Sequence, residues 1–203
     1  DPTRRKTRYI NSVHEIGHAI VMAYLTGELP INIVSVSSGN GGFCTSYISN
    51  KENEISCKED IDNDVMISLA GYESERLIFG PDNKKCLLGS GSDLERAWET
   101  FSDAVYKLGY FSPMLYSNYS TSNTPDGIPP GIDSLSKGAV CNTVVRSKGE
   151  VDLNLSPYDL ESLLLRRYRE LNERTAAILS EERKLIVKAS LYLGEEGSMR
   201  SDK

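Results

Sequence analysis

Residues 11–24 read NSVHEIGHAIVMAY, and this stretch contains both histidines of the chain, His14 and His18. In an α-helix, residues four positions apart lie one turn apart on the same face. Two imidazoles at this spacing can bind one ion, and Glu15 projects from nearly the same edge of the helix. No proline interrupts residues 3–29 and apolar residues follow His18, so the sequence predicts a long, partly buried helix here.

The spacing of these residues matches the pattern HExxH, in which two histidines bind zinc and the glutamate is the general base of a peptidase. A chance match on the protein surface is the alternative, but histidine is too rare in this chain to favour it. A buried His-Glu-His cluster is also costly unless a metal ion satisfies it. We therefore expect His14 and His18 to bind Zn²⁺, with Glu15 as the catalytic base.

Composition limits the class of protein. The chain has 203 residues, 39% of them hydrophobic and 26% charged, as in an ordinary globular domain with a proper core. Its net charge of −6 and the lack of a basic run with interleaved aromatic residues argue against binding to nucleic acid. No apolar stretch in the sequence approaches the roughly eighteen residues that span a bilayer, and no signal peptide is visible.

The four cysteines are widely spaced and include no CxxC pair, so they resemble neither a zinc knuckle nor a disulfide scaffold. We expect four free thiols, and hence a soluble domain in a reducing compartment, in the cytoplasm or on the stroma or matrix side of an organelle. The chain begins DPTRRK without a methionine, and we expect it to be a piece of a longer protein. A membrane tether upstream of this piece is compatible with its sequence.

Helical spacing and turn residues predict five helices and one β-hairpin. The first helix should end near Gly27 and Pro30, and residues 31–49 alternate like two strands around a Ser-Gly-Asn-Gly-Gly turn. Further helices are predicted over residues 57–79, 93–108, 157–179 and 180–194. The expected fold class is mainly α: a helical zinc-peptidase domain with a small β-hairpin and a C-terminal helical pair.

Capping residues and composition divide the chain further. The predicted N-caps are Ser56 (with Glu59), Ser92 (with Glu95), Ser156 and Ser180. We expect residues 1–203 to form a single domain. Its expected parts are a metal-site core (1–112), an irregular loop or insert (113–151), the C-terminal helices (152–194) and a frayed tail (195–203).

A catalytic zinc ion usually takes three protein ligands and leaves the fourth position to water. Because the chain has no third histidine, the remaining ligand must be a carboxylate or a thiolate. Two helix acids stand out, Glu75 in LAGYESERLIFG and Asp93 in GSGSDLERAWE. The residues alone do not decide between them. A salt-bridged Glu75 or an Asp93 that interacts with a helix dipole are the structural alternatives.

Three blocks of sequence resemble the peptidase domain of the FtsH family of ATP-dependent zinc proteases. They are HEIGHAIV, AGYESERLIFG, and GSDLERA followed by YKLGYFSPML. The corresponding family blocks look like HEAGHA, GGRxAEExxFG, and ASNDLxxAT followed by a YGMS-like stretch. The resemblance covers about residues 3–112 and 152–194. It implies a zinc-dependent endopeptidase that acts on unfolded or flexible polypeptides.

Carried over residue by residue, the resemblance implies that His14, His18 and Asp93 ligate zinc and that Glu15 is the base. Glu75 matches the first of two adjacent family acids, which is expected to support the ligands from outside the ligand set. Ala70-Gly71-Tyr72, Arg76 and Gly91-Ser92 depart from the family blocks, but none of these departures removes a ligand or the base.

The chain contains no GxxxxGK[ST] motif, so the ATPase that unfolds substrates for this family is not encoded in it. The resemblance implies polypeptide substrates, a homo-hexamer, and an AAA-type ATPase domain in the full-length protein or as a partner. Two other functions stay open. The fold could serve as a non-catalytic module for binding or assembly, or as a metal-dependent hydrolase of substrates other than peptides.

Overall fold

The computed structural model describes residues 2–35, 42–45, 57–81, 91–111 and 157–200. Within these ranges the chain is mainly helical, as predicted, with five helices and three short strands. The elements in chain order are α1 (Pro2–Thr26), β1 (Asn32–Ser35), β2 (Gly42–Thr45), α2 (Lys58–Phe79), α3 (Gly91–Lys107), α4 (Pro157–Glu181), α5 (Arg183–Glu196) and β3 (Ser198–Arg200). None of these helices combines the length and apolarity needed to cross a membrane.

The N-terminal end of α2 differs from the prediction by one residue. The Asp60 carboxylate accepts a hydrogen bond from the backbone N–H of Cys57 at 2.8 Å, as the N3 acid of a capping box does. The predicted pair, Ser56 with Glu59, is the same motif one residue earlier, and Ser56 itself lies outside the described residues. Overlapping capping patterns of this kind cannot be separated by spacing alone, because both place an acid in the first turn.

Two further predicted caps are wrong. The helix expected to start near Asp93 begins at Gly91, so Ser92 lies in the first turn of α3 instead of capping it. Ser180 lies inside α4, which continues to Glu181, and α5 starts at Arg183 after a one-residue break. The break is short because backbone hydrogen bonds continue across it, including one from the Ile186 N–H to the Glu182 carbonyl at 3.0 Å. The fourth predicted cap, Ser156, lies outside the described residues.

The predicted β-hairpin is present, and a third strand extends it. β1 pairs antiparallel with β2 and, on its other side, with β3, which gives the order β2-β1-β3. In this register Ile33 lies opposite both Cys44 and Met199. The frayed tail predicted for residues 195–203 is therefore wrong as far as residue 200, because residues 195–196 complete α5 and residues 198–200 form β3, while residues 201–203 lie outside the described residues.

The chain divides into two compact units, residues 1–101 with 170–203 and residues 102–169. In the second unit, Tyr110 is buried and accepts a hydrogen bond from Arg167 Nε at 3.3 Å. Leu160 and Leu164 are also buried. The predicted division near residues 112 and 152 lies outside the described residues and stays a prediction.

The first unit is built on a very close approach between α1 and α2. Gly17 of α1 has no side chain, and a Cβ atom there would lie 2.7 Å from the carbonyl oxygen of Ala70 in α2. Beside it, the fully buried Ser74 hydroxyl donates a hydrogen bond to the Val13 carbonyl at 2.8 Å. Because the two backbones almost touch, side chains on neighbouring turns of α1 face the backbone of α2 directly.

Candidate metal centre

The histidines of α1 lie at this close approach, and their rings are stacked edge to face. His14 and His18 are both buried, with ring centroids 4.7 Å apart and an interplanar angle of 77°. Their Nε2 atoms are 3.1 Å apart. The helical spacing therefore does bring the two rings to one point, as the sequence predicts.

The Nδ1 atom of each ring is held by an acceptor from α2. His14 Nδ1 lies 2.7 Å from Oε1 of Glu75, whose side chain is fully buried, and His18 Nδ1 lies 2.6 Å from the Ile67 carbonyl oxygen. A carbonyl or ionised carboxylate only accepts hydrogen bonds, so Nδ1 carries the proton in the neutral form of each ring. This leaves both Nε2 atoms with lone pairs that point toward each other.

Asp93, in the first turn of α3, supplies a third acceptor at the same point. Its Oδ2 atom lies 3.0 Å from His14 Nε2 and 3.5 Å from His18 Nε2. Among the residues that the structure describes, these three form the cluster of side chains suited to holding a metal ion. The structure thus brings Asp93 to the two Nε2 atoms, while Glu75 contacts the opposite side of the His14 ring.

The donor set fits zinc. Zinc–ligand distances of 2.0–2.2 Å in a tetrahedron place neighbouring donor atoms about 3.3 Å apart. The three donor separations, 3.0, 3.1 and 3.5 Å, lie within a few tenths of an ångström of that spacing. Three electron pairs that converge so closely repel one another unless a cation lies among them. The geometry also holds His14 and His18 by hydrogen bonds at Nδ1, as is usual for metal-binding histidines.

Gly71 of α2 leaves the room that these rings occupy. A Cβ atom at Gly71 would lie 2.5 Å from His14 Cε1 and 2.6 Å from the Nε2 atoms of both His14 and His18. Real Cβ atoms do not approach other heavy atoms so closely. Any side chain at this position would push the imidazoles out of the arrangement that the donor distances describe.

The acids and histidines at this centre shift one another's pKa values. Burial would lower the pKa of His14, but its hydrogen bonds to Asp93 and Glu75 and the charge of Glu15 raise that pKa to about 9. For Asp93 the effects have the opposite sign. Burial raises the pKa of its carboxyl group, but hydrogen bonds to the two histidines bring that pKa well below its usual range. A proton on His14 and a metal ion would therefore compete for the same acidic surroundings.

Glu15 follows His14 in α1 and is buried. Burial raises the pKa of Glu15, the charges of His14 and His18 oppose this shift, and those of Asp93 and Glu75 add to it. The Glu15 carboxyl group therefore belongs to the same electrostatic cluster as the candidate ligands. A raised pKa makes a carboxylate a stronger proton acceptor, as a general base requires.

The sequence did not predict three features of this centre. The Ile67 carbonyl is a backbone group, Gly71 acts through a missing side chain, and Arg96 of α3 donates hydrogen bonds to Ser68 of α2. The replacement of the family Gly-Gly-Arg by Ala70-Gly71-Tyr72 retains the one glycine that faces the histidines. That coincidence was the one available signal for Gly71.

The sequence model of peptidase family M41 matches residues 2–128 of the chain. This match covers more than half of the chain, including α1, α2 and α3. The chain belongs to peptidase family M41. Its membership of the M41 family agrees with the FtsH-like blocks in the sequence and with the mainly helical fold.

Two curated relatives of this M41 chain are ATP-dependent zinc metalloproteases. The ATP-dependent zinc metalloprotease FtsH of Kosmotoga olearia is 35% identical over 107 residues, which is 51% of this chain and 16% of the relative. The ATP-dependent zinc metalloprotease FtsH 1 of Bdellovibrio bacteriovorus is 28% identical over 176 residues, 85% of this chain and 26% of the relative. The chain therefore spans between 16% and 26% of the length of these two relatives.

Proposed function

We propose that this chain is the peptidase portion of a zinc metalloprotease and hydrolyses peptide bonds in unfolded or flexible polypeptides. The observation that carries the proposal is the convergence of His14 Nε2, His18 Nε2 and Asp93 Oδ2 within 3.0–3.5 Å of one another. Membership of peptidase family M41 and the zinc metalloprotease names of the relatives support it.

Each residue has a separate role in the proposed reaction. His14, His18 and Asp93 would hold zinc, which when bound supplies the Lewis acidity that activates a water molecule and polarises the scissile carbonyl. Glu15 would accept the proton of the attacking water and transfer it to the leaving amine. Glu75 would hold the His14 ring by accepting its Nδ1–H, which keeps Nε2 available as a ligand.

The sheet supports a way for the enzyme to hold an extended substrate. A peptide added to a sheet edge is recognised through its backbone, which suits broad specificity. Among the strands that the structure describes, β1 has neighbours on both sides, whereas β2 and β3 lie at the two edges of the sheet. We infer that an extended peptide adds as a further strand beside β2 or β3 and not beside β1.

Hydrolysis of labelled casein by the zinc-loaded chain tests the proposal. Glu15→Gln should retain zinc and the fold, yet lower the rate by about a hundredfold to ten-thousandfold, because an amide cannot accept the water proton. Glu99→Gln, which removes an exposed acid of α3, is the matched control and should leave the rate unchanged. Equal rates for the wild type and Glu15→Gln would refute the mechanism.

The state of the substrate gives a second test. The chain encodes no Walker motif, so it has no motor of its own with which to unfold a stable domain. Folded substrates become accessible only when they open, with a population set by their own stability. A destabilised variant of a folded protein should therefore be cleaved much faster than its stable parent, with or without ATP. Equal cleavage of both forms, or stimulation by ATP, would contradict this expectation.

Zinc that binds stoichiometrically without any hydrolysis of casein or peptides would favour the alternative function, a binding or assembly module with a peptidase fold. Nothing in the geometry favours that alternative. A module used only for binding has no need of a buried Glu15 beside two candidate zinc ligands.

A further inference from the structure

Asp93 is the least enclosed of the three candidate ligands. The relative solvent exposure of its side chain is 24%, whereas that of the His14 and His18 side chains is 10% and 9%. It also comes from α3, a different helix from the one that carries the histidines. Because a metal ligand must be held within a few tenths of an ångström, something has to fix the first turn of α3 against α2.

Arg96 makes such a connection. It lies three residues after Asp93 in α3, a spacing that places both side chains on one face of the helix. Its Nε and Nη2 atoms both donate hydrogen bonds to the hydroxyl oxygen of Ser68, at 3.2 and 3.1 Å. Ser68 is buried in α2, and its oxygen has two lone pairs, so it can accept both.

Ser68 belongs to the turn of α2 that also orients the histidines. The residue before it, Ile67, has the carbonyl oxygen that holds His18 Nδ1. Three residues after it lies Gly71, which faces both histidine rings. Contacts to His18 and to α3 thus start from adjacent residues of one rigid helical turn. A shift of Arg96 relative to Ser68 would move Asp93 relative to the histidine rings.

We propose that Arg96 and Ser68 form a clamp that positions Asp93 for metal binding. This inference rests on the proposed function only in taking Asp93 as a zinc ligand. Arg96 touches neither metal nor substrate in this role, so it is a positioning residue. The clamp needs the planar fork of arginine, because two donors in fixed geometry must reach one oxygen, and lysine offers a single flexible ammonium group.

Zinc affinity, measured by competition with a chelating indicator, tests the clamp without relying on hydrolysis. Arg96→Gln and Ser68→Ala should each weaken zinc binding about tenfold, the lower end of the effect of groups that support metal ligands. The double variant should be no weaker than either single variant, because both remove the same contact. Arg174→Gln, which removes an exposed arginine of α4, should leave the affinity unchanged.

Three comparisons separate positioning from a general loss of stability. In an Asp93→Ala background, Arg96→Gln should have no further effect on zinc affinity, because the residue that the clamp positions is gone. Arg96→Lys should bind zinc as weakly as Arg96→Gln. Hydrogen exchange of the zinc-free protein should also be faster in Arg96→Gln at the second turn of α3, where the amides first have hydrogen-bond partners within the helix.

Different results would contradict the clamp and the proposed function. An unchanged zinc affinity in Arg96→Gln, an equal loss in the Asp93→Ala background, or full affinity in Arg96→Lys would overturn the clamp. A wild type that binds zinc but cleaves nothing would contradict the proposed function and would leave the test of the clamp intact.

Discussion

The two sides of the candidate metal centre are built in different ways. On one side, α1 and α2 are in backbone contact, and the histidine rings are fixed by the Ile67 carbonyl, the Glu75 carboxylate and the space at Gly71. On the other side, Asp93 is partly exposed. The difference suggests that damage to the α1–α2 side abolishes the site, whereas damage on the α3 side weakens it by degrees.

The largest effect should come from the histidines themselves. His14→Ala or His18→Ala removes one of two ring nitrogens 3.1 Å apart, and the remaining donors cannot fill a catalytic zinc site. Stoichiometric zinc, measured by metal analysis after dialysis, should be lost together with hydrolysis of casein. Retention of one zinc per chain in either variant would show that the metal binds elsewhere.

The second largest effect should come from the smallest substitution. Gly71→Ala adds one methyl group at a point 2.5–2.6 Å from the histidine rings, so it should lower zinc affinity at least a hundredfold. Alanine is the better helix former by about 1 kcal/mol, so propensity alone would predict a more stable protein. Thermal unfolding of the zinc-free protein should instead show destabilisation, because the α1–α2 contact must open.

Gly194→Ala is the matched control for Gly71→Ala. Gly194 also lies inside a helix, α5, but the nearest atom to an added Cβ, the Ser12 hydroxyl oxygen, would be 3.5 Å away. This substitution should leave zinc affinity unchanged and leave stability equal or slightly increased. If both variants behaved alike, the close approach at Gly71 would not govern the site.

Substitutions of Asp93 and Glu75 should lower zinc affinity by different amounts. Asp93→Ala should weaken zinc binding severely but not abolish it, since the two histidines stay in place. Glu75→Gln keeps an oxygen that can accept the His14 Nδ1–H, so it should weaken zinc binding only about tenfold. Competition with a chelating indicator measures both. The reverse order, with Glu75→Gln weaker than Asp93→Ala, would exchange the roles of these two acids.

This pair of acids also shows how far the sequence could predict the site. Helical spacing was enough to bring His14 and His18 together, because both lie on one helix and their separation is a local property. Spacing could not choose between Glu75 and Asp93, because that choice depends on how α2 and α3 pack against α1. The resemblance to a family favoured Asp93, and the structure places its carboxylate 3.0 Å from His14 Nε2.

The fold was predictable in the same local sense. Helix periods and breakers predicted the five helices and the hairpin, while end residues were wrong where two capping patterns overlapped or where α4 continued through Ser180. β3 was missed because three residues, Ser-Met-Arg, carry no strand period, and their pairing with β1 depends on a contact distant in the sequence.

The smallest effect should arise where the two helices meet but the metal ligands are not touched. The Ser74 hydroxyl is fully buried and lies 2.8 Å from the carbonyl oxygens of Val13 and Gly71. Both carbonyls lie inside helices and keep their backbone hydrogen bonds, so Ser74→Ala leaves no buried acceptor unpaired. The free energy of unfolding, from urea denaturation of the zinc-free protein, should fall by only about 1 kcal/mol.

Zinc affinity sharpens this last prediction. Ser74→Ala removes a hydrogen bond between α1 and α2 without adding volume. Gly71→Ala instead adds volume at the preceding turn of α2. If steric fit at the histidines controls the site, Ser74→Ala should leave zinc affinity within about threefold of the wild type, a change of about 0.7 kcal/mol. A loss comparable to that of Gly71→Ala would instead mean that hydrogen bonding across the α1–α2 contact holds the rings in register. The difference between the α1–α2 side and the α3 side of the centre would then depend on polar contacts rather than on packing.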